Sequence, residues 1–228
     1  MTYLEAPSPN FDDRGRAVDT IILHYTGMPT GAEALARLRD ASAKVSAHYL
    51  VEENGDVHRL VDETKRAWHA GASSWKGESD INARSIGIEI VNPGHEFGYR
   101  DFPDVQVGAV IALLKDIRMR HDISPLRVLG HSDVAPRRKE DPGEKFPWSR
   151  LADEGLALAP FSGNADVGEG ISFDVALGAL QAIGYDAPSG DYAAGLMAFQ
   201  RRFCPQSLGQ GFDKRTKAAL EQISQPAA

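Results

Sequence analysis

Cysteine is almost absent from the sequence, since Cys204 is the single cysteine among 228 residues. One cysteine excludes a disulfide within the chain, so the fold does not depend on an oxidising compartment. The sequence also lacks a run of about 18 apolar residues, which a membrane-spanning helix needs, and it does not begin with the basic and apolar segments of a signal peptide. These absences predict a cytoplasmic protein without a membrane span, with a periplasmic location as the alternative if a signal peptide has been removed.

Positive charge is also scarce, because 25 Lys and Arg residues stand against 32 Asp and Glu residues and give a net charge of −7. Such a chain gives no electrostatic reason to expect nucleic acid or an anionic membrane as a partner. Hydrophobic residues at 42% and charged residues at 25% are the proportions of an ordinary globular protein. The length allows one good-sized domain and a small one, at roughly 100 to 200 residues per domain.

Strand and helix patterns alternate in the first part of the chain. The apolar runs at 19–27 and 84–94 are typical of buried strands, and Asn54-Gly55 between two apolar runs predicts a hairpin. A helix is indicated by apolar residues at positions i, i+3, i+4 and i+7, namely Val110, Leu113, Leu114 and Ile117. This alternation predicts an α/β fold with a mixed central β-sheet flanked by helices.

The composition changes near residue 160. The stretch PFSGNADVGEG is rich in Gly and polar residues and is typical of a linker. After it the strand signals stop, and three short apolar helical stripes follow, the third with Asp213 placed to cap it. We therefore expect a catalytic domain at 1–160, a linker at 161–170 and a three-helix domain at 171–228.

Two histidines stand in positions where an imidazole needs a partner. His24 lies inside an apolar strand, where burial costs free energy unless the ring is bonded, and His131 comes at the end of a second short strand. With a carboxylate such as Asp141 they would make three protein ligands, which one water completes to four-coordinate zinc. The spacing is not that of a local zinc finger, and ordinary hydrogen-bonded histidines are the alternative.

Glu89 is a lone charge on a mostly apolar strand, because the alternation places Ile86, Ile88 and Ile90 on the opposite face. It could form a buried ion pair with Arg66 or Arg84, or act as a general base beside a metal.

Lys139 lies two residues before Asp141, and in extended chain two such residues point to the same side. It could therefore stabilise an oxygen that gains negative charge. A solvated charge in the basic run that starts at Arg137 is the alternative.

Five stretches of the chain, from about residue 17 to 155, together resemble the type 2 zinc-dependent N-acetylmuramoyl-L-alanine amidases, the AmpD-like enzymes related to peptidoglycan recognition proteins. They are LHYTGM, VSAHYLV, RAWHAG, SIGIEIVNPG and GHSDVAPRRKEDPGEKFPW. The resemblance implies one Zn²⁺ per chain with His24, His131 and Asp141 as its ligands. It also implies that Glu89 is the catalytic carboxylate and that Lys139 stabilises the transition state.

Further positions follow from the same resemblance. His48, Trp68 and His69 match motif positions around the cleft, and with Arg66 they are the candidates for substrate binding. Their expected role is to shape the site or to hold the muropeptide, and core packing is the alternative for Trp68. The helical segment from 176 to 223 is similar to a small peptidoglycan-binding domain, although a helical appendage that only stabilises or dimerises the enzyme would give the same pattern.

The function implied is hydrolysis of the amide bond between N-acetylmuramic acid, or its 1,6-anhydro form, and the L-alanine of a stem peptide. The expected partners are muropeptides or murein. A peptidoglycan recognition protein that does not cut its ligand is the main alternative, and a zinc endopeptidase acting within the stem peptide is another. A structural zinc site fits less well, because such sites usually have four protein ligands.

Overall fold

The computed structural model of the chain describes residues 2–225, so residues 1 and 226–228 of the two predicted domains lie outside the described residues. The strands are β1 (Leu4–Glu5), β2 (Phe11–Asp13), β3 (Thr20–Tyr25), β4 (Tyr49–Val51), β5 (Val57–Arg59), β6 (Lys65–Ala67), β7 (Ser74–Trp75), β8 (Glu78–Ser79), β9 (Ser85–Ile90) and β10 (Val128–Gly130). The α-helices are α1 (Gly31–Arg39), α2 (Ile81–Arg84), α3 (Gly94–Phe97), α4 (Asp104–Arg120), α5 (His131–Val134), α6 (Trp148–Asp153), α7 (Phe173–Ile183), α8 (Ala193–Phe203) and α9 (Lys214–Ser224).

The central sheet has the strand order β1-β5-β4-β9-β3-β10. Strand β3 pairs in parallel with both β9 and β10, while β4 and β5 form the antiparallel hairpin predicted at Asn54-Gly55. The mixed central sheet flanked by helices is therefore confirmed. Among the helices of residues 2–225, none combines the length and the apolar content that a membrane crossing requires.

The first face of the sheet packs against α4. Ile86, Ile88 and Ile90 on β9 lie in one buried cluster with the apolar residues of α4, including Leu113 and Ile117. These α4 positions recur with the helical period, which places them on one side of the helix. The helix predicted from that period is present at Asp104–Arg120.

The second face of the sheet packs against the C-terminal helices. Ile22 on β3 and Leu129 on β10 share a buried cluster with Leu180 of α7, Phe199 of α8 and Leu220 of α9. Because side chains alternate along a strand, His24 lies on the same face of β3 as Ile22. The face that carries the predicted metal ligand is thus the one that the C-terminal helices cover.

The segment predicted as a linker has structure of its own. The backbone N–H of Phe161 donates to the carbonyl of Phe203, and Phe161 lies in the core cluster with the C-terminal helices. Residues Ala165–Gly170 form a 3-10 turn, and Gly168 approaches α9 so closely that a Cβ would lie 2.2 Å from the carbonyl oxygen of Lys214. The division of the chain at 160 and 171 stays a prediction.

Leu180→Ala tests the core that the sheet and the C-terminal helices share. Leu180 has no exposed surface, so its truncation should lower the free energy of unfolding by about 2–5 kcal/mol. Val175→Ala is the matched control on the same helix, because Val175 is 62% exposed and its loss should stay within about 0.5 kcal/mol. The urea midpoints of unfolding followed by circular dichroism and by tryptophan fluorescence should fall together. A lower midpoint in only one of the two signals would contradict the shared core.

Candidate active site

Three buried side chains converge at the carboxyl ends of two neighbouring strands. His24 lies near the end of β3, His131 directly follows β10, and Asp141 lies in the loop after α5. The Nδ1 atoms of the two histidines are 2.9 Å apart, and each is 3.0 Å from Oδ2 of Asp141. Parallel pairing of β3 with β10 explains how residues 107 positions apart in the sequence meet, since parallel strands end at the same edge of a sheet.

The donor set of these three residues fits a divalent metal ion. Their ligand atoms form a buried group that could hold one ion. Zinc bonds of about 2.0–2.1 Å in a tetrahedral site put ligand atoms roughly 3.3 Å apart, which is close to the separations observed. Two imidazole nitrogens and one carboxylate oxygen are also the donor types that zinc accepts.

Hydrogen bonds on the far side of each ring fix which nitrogen faces the site. His131 Nε2 lies 3.1 Å from the carbonyl of Ala70, and a carbonyl only accepts, so Nε2 carries the proton and Nδ1 presents a lone pair. Behind His24 there is a longer chain of hydrogen bonds. The Nε2 atom of His24 lies 3.1 Å from Nδ1 of His69, and Nε2 of His69 lies 3.2 Å from the hydroxyl oxygen of Ser85.

Ser85 determines which atoms donate and which accept along this chain of hydrogen bonds. Ser85 donates its hydroxyl proton to the carbonyl of Ile81 at 2.7 Å, so the Ser85 oxygen accepts from Nε2–H of His69. The Nδ1 atom of His69 therefore accepts from Nε2–H of His24. Both metal-ligand candidates thus hold a deprotonated Nδ1 towards Asp141, as metal binding requires.

The charges of His24 and Asp141 match that arrangement. Burial, followed by the neighbouring His131, lowers the pKa of His24 to about 4, so the ring is neutral at physiological pH. Burial works to raise the pKa of Asp141, but His131 and His24 hold that pKa well below its usual range. A neutral imidazole and an ionised carboxylate are the protonation states that bind metal.

Strand β9 supplies the floor of the site. Ser85, Gly87 and Glu89 lie on one face of it, and Glu89 pairs in register with His24 on β3. A Cβ on Gly87 would lie 2.3 Å from Cγ of His69, so only glycine leaves room for that ring. Nothing local in the sequence indicated that Ser85 supports a histidine.

Glu89 is half-buried on β9, and one oxygen of its carboxylate is fully buried. Among residues 2–225 its Oε2 atom has no hydrogen-bond partner, and the proposed ion pair with an arginine is not formed. Arg66 pairs with Asp12 and Asp80 instead, and Arg84 pairs with Asp19 and Glu78. Burial raises the pKa of Glu89 to about 8, with Asp141 adding to the effect and Lys139 opposing it.

Glu89 and Lys139 face the same cleft, which has a volume of about 200 Å³. Within the described part of the chain, Lys139 forms no ion pair with an acidic side chain, so its ammonium group is available to a ligand. Trp68 and His69 lie in the wall of this cleft. The other lining residues are Thr26, Met28, Ala34, Arg37, Leu38, Val45 and Ser46.

The remaining candidates for substrate binding occupy different positions. His48 is completely buried, and its Nδ1 accepts from the backbone N–H of Gly87, which favours a role in shaping the site. Trp68 faces the cleft and donates its indole N–H to Asp12 at 2.7 Å. Arg66 also binds Asp12 and is not part of the cleft lining.

Comparisons with known proteins agree with this geometry. Residues 14–144 match the family model described as N-acetylmuramoyl-L-alanine amidase. The chain is 34% identical to the N-acetylmuramoyl-L-alanine amidase AmiD of Escherichia coli, with 90% of this chain and 82% of AmiD covered. It is 41% identical to the 1,6-anhydro-N-acetylmuramyl-L-alanine amidase AmpD of E. coli, with 64% of this chain and 87% of AmpD covered.

Solved structures show the same similarity over nearly the whole chain. The complex of E. coli AmiD with the substrate anhydro-N-acetylmuramic acid-L-Ala-D-gamma-Glu-L-Lys has a TM-score of 0.80 at 33% identity and covers 97% of this chain and 91% of its own. AmpDh3 from Pseudomonas aeruginosa in complex with anhydromuramic pentapeptide has a TM-score of 0.80 at 32% identity, and the match covers 94% of this chain and 92% of AmpDh3.

His24→Ala tests the metal site directly. Removing one of three converging ligands should strip most of the bound divalent metal from the purified protein, because the two remaining groups no longer complete the set. Metal content after dialysis, measured by plasma mass spectrometry, checks this. His58→Ala is the control, since His58 lies near Glu52 on the hairpin, and equal metal in the two variants would mean that His24 is not a ligand.

Proposed function

Because the chain belongs to the N-acetylmuramoyl-L-alanine amidase family, we propose that it is a zinc enzyme that hydrolyses the amide bond between N-acetylmuramic acid and the L-alanine of a peptidoglycan stem peptide. The observation that supports this most is the convergence of His24, His131 and Asp141 within about 3 Å of one another, beside Glu89. A recognition protein that only binds peptidoglycan has no need of a complete ligand set beside a carboxylate with one buried, unpaired oxygen.

The substrate class follows from the relatives. Both complexes contain anhydro-muramyl peptides, so we propose that the cleft takes a muropeptide with the 1,6-anhydro or the ordinary sugar. Trp68 in the cleft wall offers an apolar ring face to the sugar or the peptide. Murein itself is the other possible partner. The predicted cytoplasmic location and its periplasmic alternative stay predictions.

His24, His131 and Asp141 would hold a single zinc ion. The ion would supply Lewis acidity, which polarises a carbonyl oxygen and makes water easier to deprotonate. The protein's part is to keep both histidines neutral with Nδ1 turned inward. Hydrogen bonds to Ala70 and, through His69, to Ser85 do this.

Glu89 would move the proton during hydrolysis. Its carboxylate takes a proton from the attacking water as the oxygen bonds to the amide carbon, and it then gives that proton to the L-alanyl amine as the carbon–nitrogen bond breaks. Burial in a site without a competing hydrogen bond raises the pKa of Glu89 to about 8. The positive charge of a metal ion held by the three ligands would lower that pKa and keep Glu89 ionised, as a base that accepts a proton must be.

Lys139 would stabilise the negative charge that develops on the amide oxygen. Its ammonium group faces the cleft that Glu89 lines. A preformed cation at that place is worth more in the transition state than in the ground state, where the oxygen is neutral. We propose the remaining assignments, His48 and His69 in shaping the site and Trp68 in contacting substrate, from their positions alone.

Glu89→Gln tests the proposed reaction. The wild-type protein should release the L-alanyl peptide from purified anhydro-muropeptide, detected by mass spectrometry. The amide of glutamine cannot accept a proton, so the variant should keep its zinc and lose turnover by about 10²–10⁴-fold. Glu154→Gln, at an exposed ion pair with Lys115, should keep full activity. Products cut within the stem peptide would contradict the amidase assignment.

Lys139→Ala tests whether the ammonium group of Lys139 contributes to turnover independently of metal binding. Loss of a group that contacts the transition state should lower kcat by about 10²-fold, with zinc content unchanged and KM altered much less. Steady-state kinetics on the same muropeptide checks this. Lys115→Ala is the matched control on α4, and a kcat equal to wild type for Lys139→Ala would make Lys139 a solvated charge without a role.

A further inference from the structure

Helix α8 carries two adjacent buried arginines. Arg201 is 6% exposed and Arg202 is 4% exposed, although arginine is almost never so buried unless it is paired. Both side chains leave the C-terminal helices and reach the loop that follows β10. That loop, residues 131–147, holds His131 and Asp141 and is here called the ligand loop.

Arg202 contacts the start of the ligand loop. Its Nη1 lies 2.6 Å from Oδ2 of Asp133, which is 1% exposed, and its Nη2 donates to the carbonyl of Val128 at 2.9 Å. The hydroxyl of Tyr185, which follows α7, donates to Oδ1 of the same aspartate at 2.6 Å. The carboxylate of Asp133 is thus held by two residues of the C-terminal unit.

Asp133 in turn controls the position of His131. Its Oδ2 also accepts the backbone N–H of Gly130 at 2.7 Å, which fixes the point where α5 begins at His131. A helix of a single turn is marginal without outside contacts. The backbone N–H of Ser132 donates to the carbonyl of Asp141 at 2.9 Å, so a shift of α5 would displace both ligands.

Arg201 contacts the other end of the same loop. Its Nη2 lies 3.0 Å from Oε1 of Glu140, the residue before Asp141, and its Nε lies 3.5 Å from Oε2 of Glu144. The two arginines therefore hold the loop on both sides of its metal ligands. They belong to the helical segment 176–223, for which the sequence suggested a peptidoglycan-binding domain or a helical appendage that only stabilises or dimerises the enzyme.

We propose that Arg202, with Tyr185 and Arg201, positions His131 and Asp141 for metal binding, so that the C-terminal helical unit is a working part of the metal site. This inference rests on the metal site of the proposed function. Among the described residues, Arg202 and Tyr185 form no hydrogen bond with His131 or Asp141, and they act through Asp133. Breaking the contact should also destabilise the fold, because it leaves the buried carboxylate of Asp133 without its cationic partner.

The test measures zinc affinity in the full-length protein by competition with a chromophoric chelator, without substrate. Arg202→Met should bind zinc about 10–100-fold more weakly, as expected when the support of a ligand is lost. Tyr185→Phe removes one hydroxyl and should weaken binding in the same direction by less. Arg202→Lys keeps the charge and should recover part of the loss.

Two controls separate positioning from general stability. Arg137→Ala breaks exposed ion pairs to Asp186 and Asp191, which also join the ligand loop to the C-terminal unit, and it should keep the wild-type affinity. Leu180→Ala destabilises the shared core without removing any hydrogen bond or ion pair to the ligand loop, and it should keep that affinity as well. The cobalt-substituted protein should show an altered visible absorption spectrum in Arg202→Met alone among these three variants.

Wild-type zinc affinity in folded Arg202→Met would overturn the proposal, and so would an equal loss of affinity in Leu180→Ala. If Arg202→Met does not fold, Tyr185→Phe decides, because unchanged affinity in that variant would overturn the proposal too. A wild-type protein that binds zinc but leaves muropeptides intact would refute the amidase function, and the affinity measurements would still stand.

Discussion

Parallel pairing of β3 with β9 and β10 is the constraint on which the rest of the site depends. It brings the carboxyl ends of three strands to one edge and sets His24 opposite Glu89. His131 follows β10 at the same edge, so two candidate metal ligands and the proposed base meet although they are far apart in the sequence. Each strand is buried on both faces, which leaves the sheet little freedom to shift its register.

The site also contains an unusual number of buried polar side chains. Three histidines, His24, His48 and His69, and the hydroxyl of Ser85 lie within the fold with their polar atoms paired to one another or to backbone groups. Each of these pairs offsets the loss of water that burial causes. Glu89 is different, because its Oε2 has no partner in the described chain. Its burial raises the pKa to about 8, which suits a reacting group better than a structural one.

Local patterns in the sequence were enough to predict several helices and strands and one part of the candidate site. The period of α4 and the alternation along β9 each depend on neighbouring residues, and they predicted the helix and the isolated charge of Glu89. The ligand set needed the family resemblance, because no local spacing joins residue 24 to residue 141. The contact between Asp133 and Arg202 spans 69 positions and arises only when α8 packs on the sheet. The periodicity of one sequence cannot predict a contact between such distant residues. Two adjacent arginines such as Arg201 and Arg202 would ordinarily be expected to lie in solvent.

The shared second face of the sheet has a consequence for engineering. Here Ile22 and Leu129 are covered by α7, α8 and α9, so excision of those helices would bare an apolar surface and invite aggregation. A grafted replacement would need a complementary apolar surface, and engineered substitutions belong on the outer, solvent-facing sides of the last three helices.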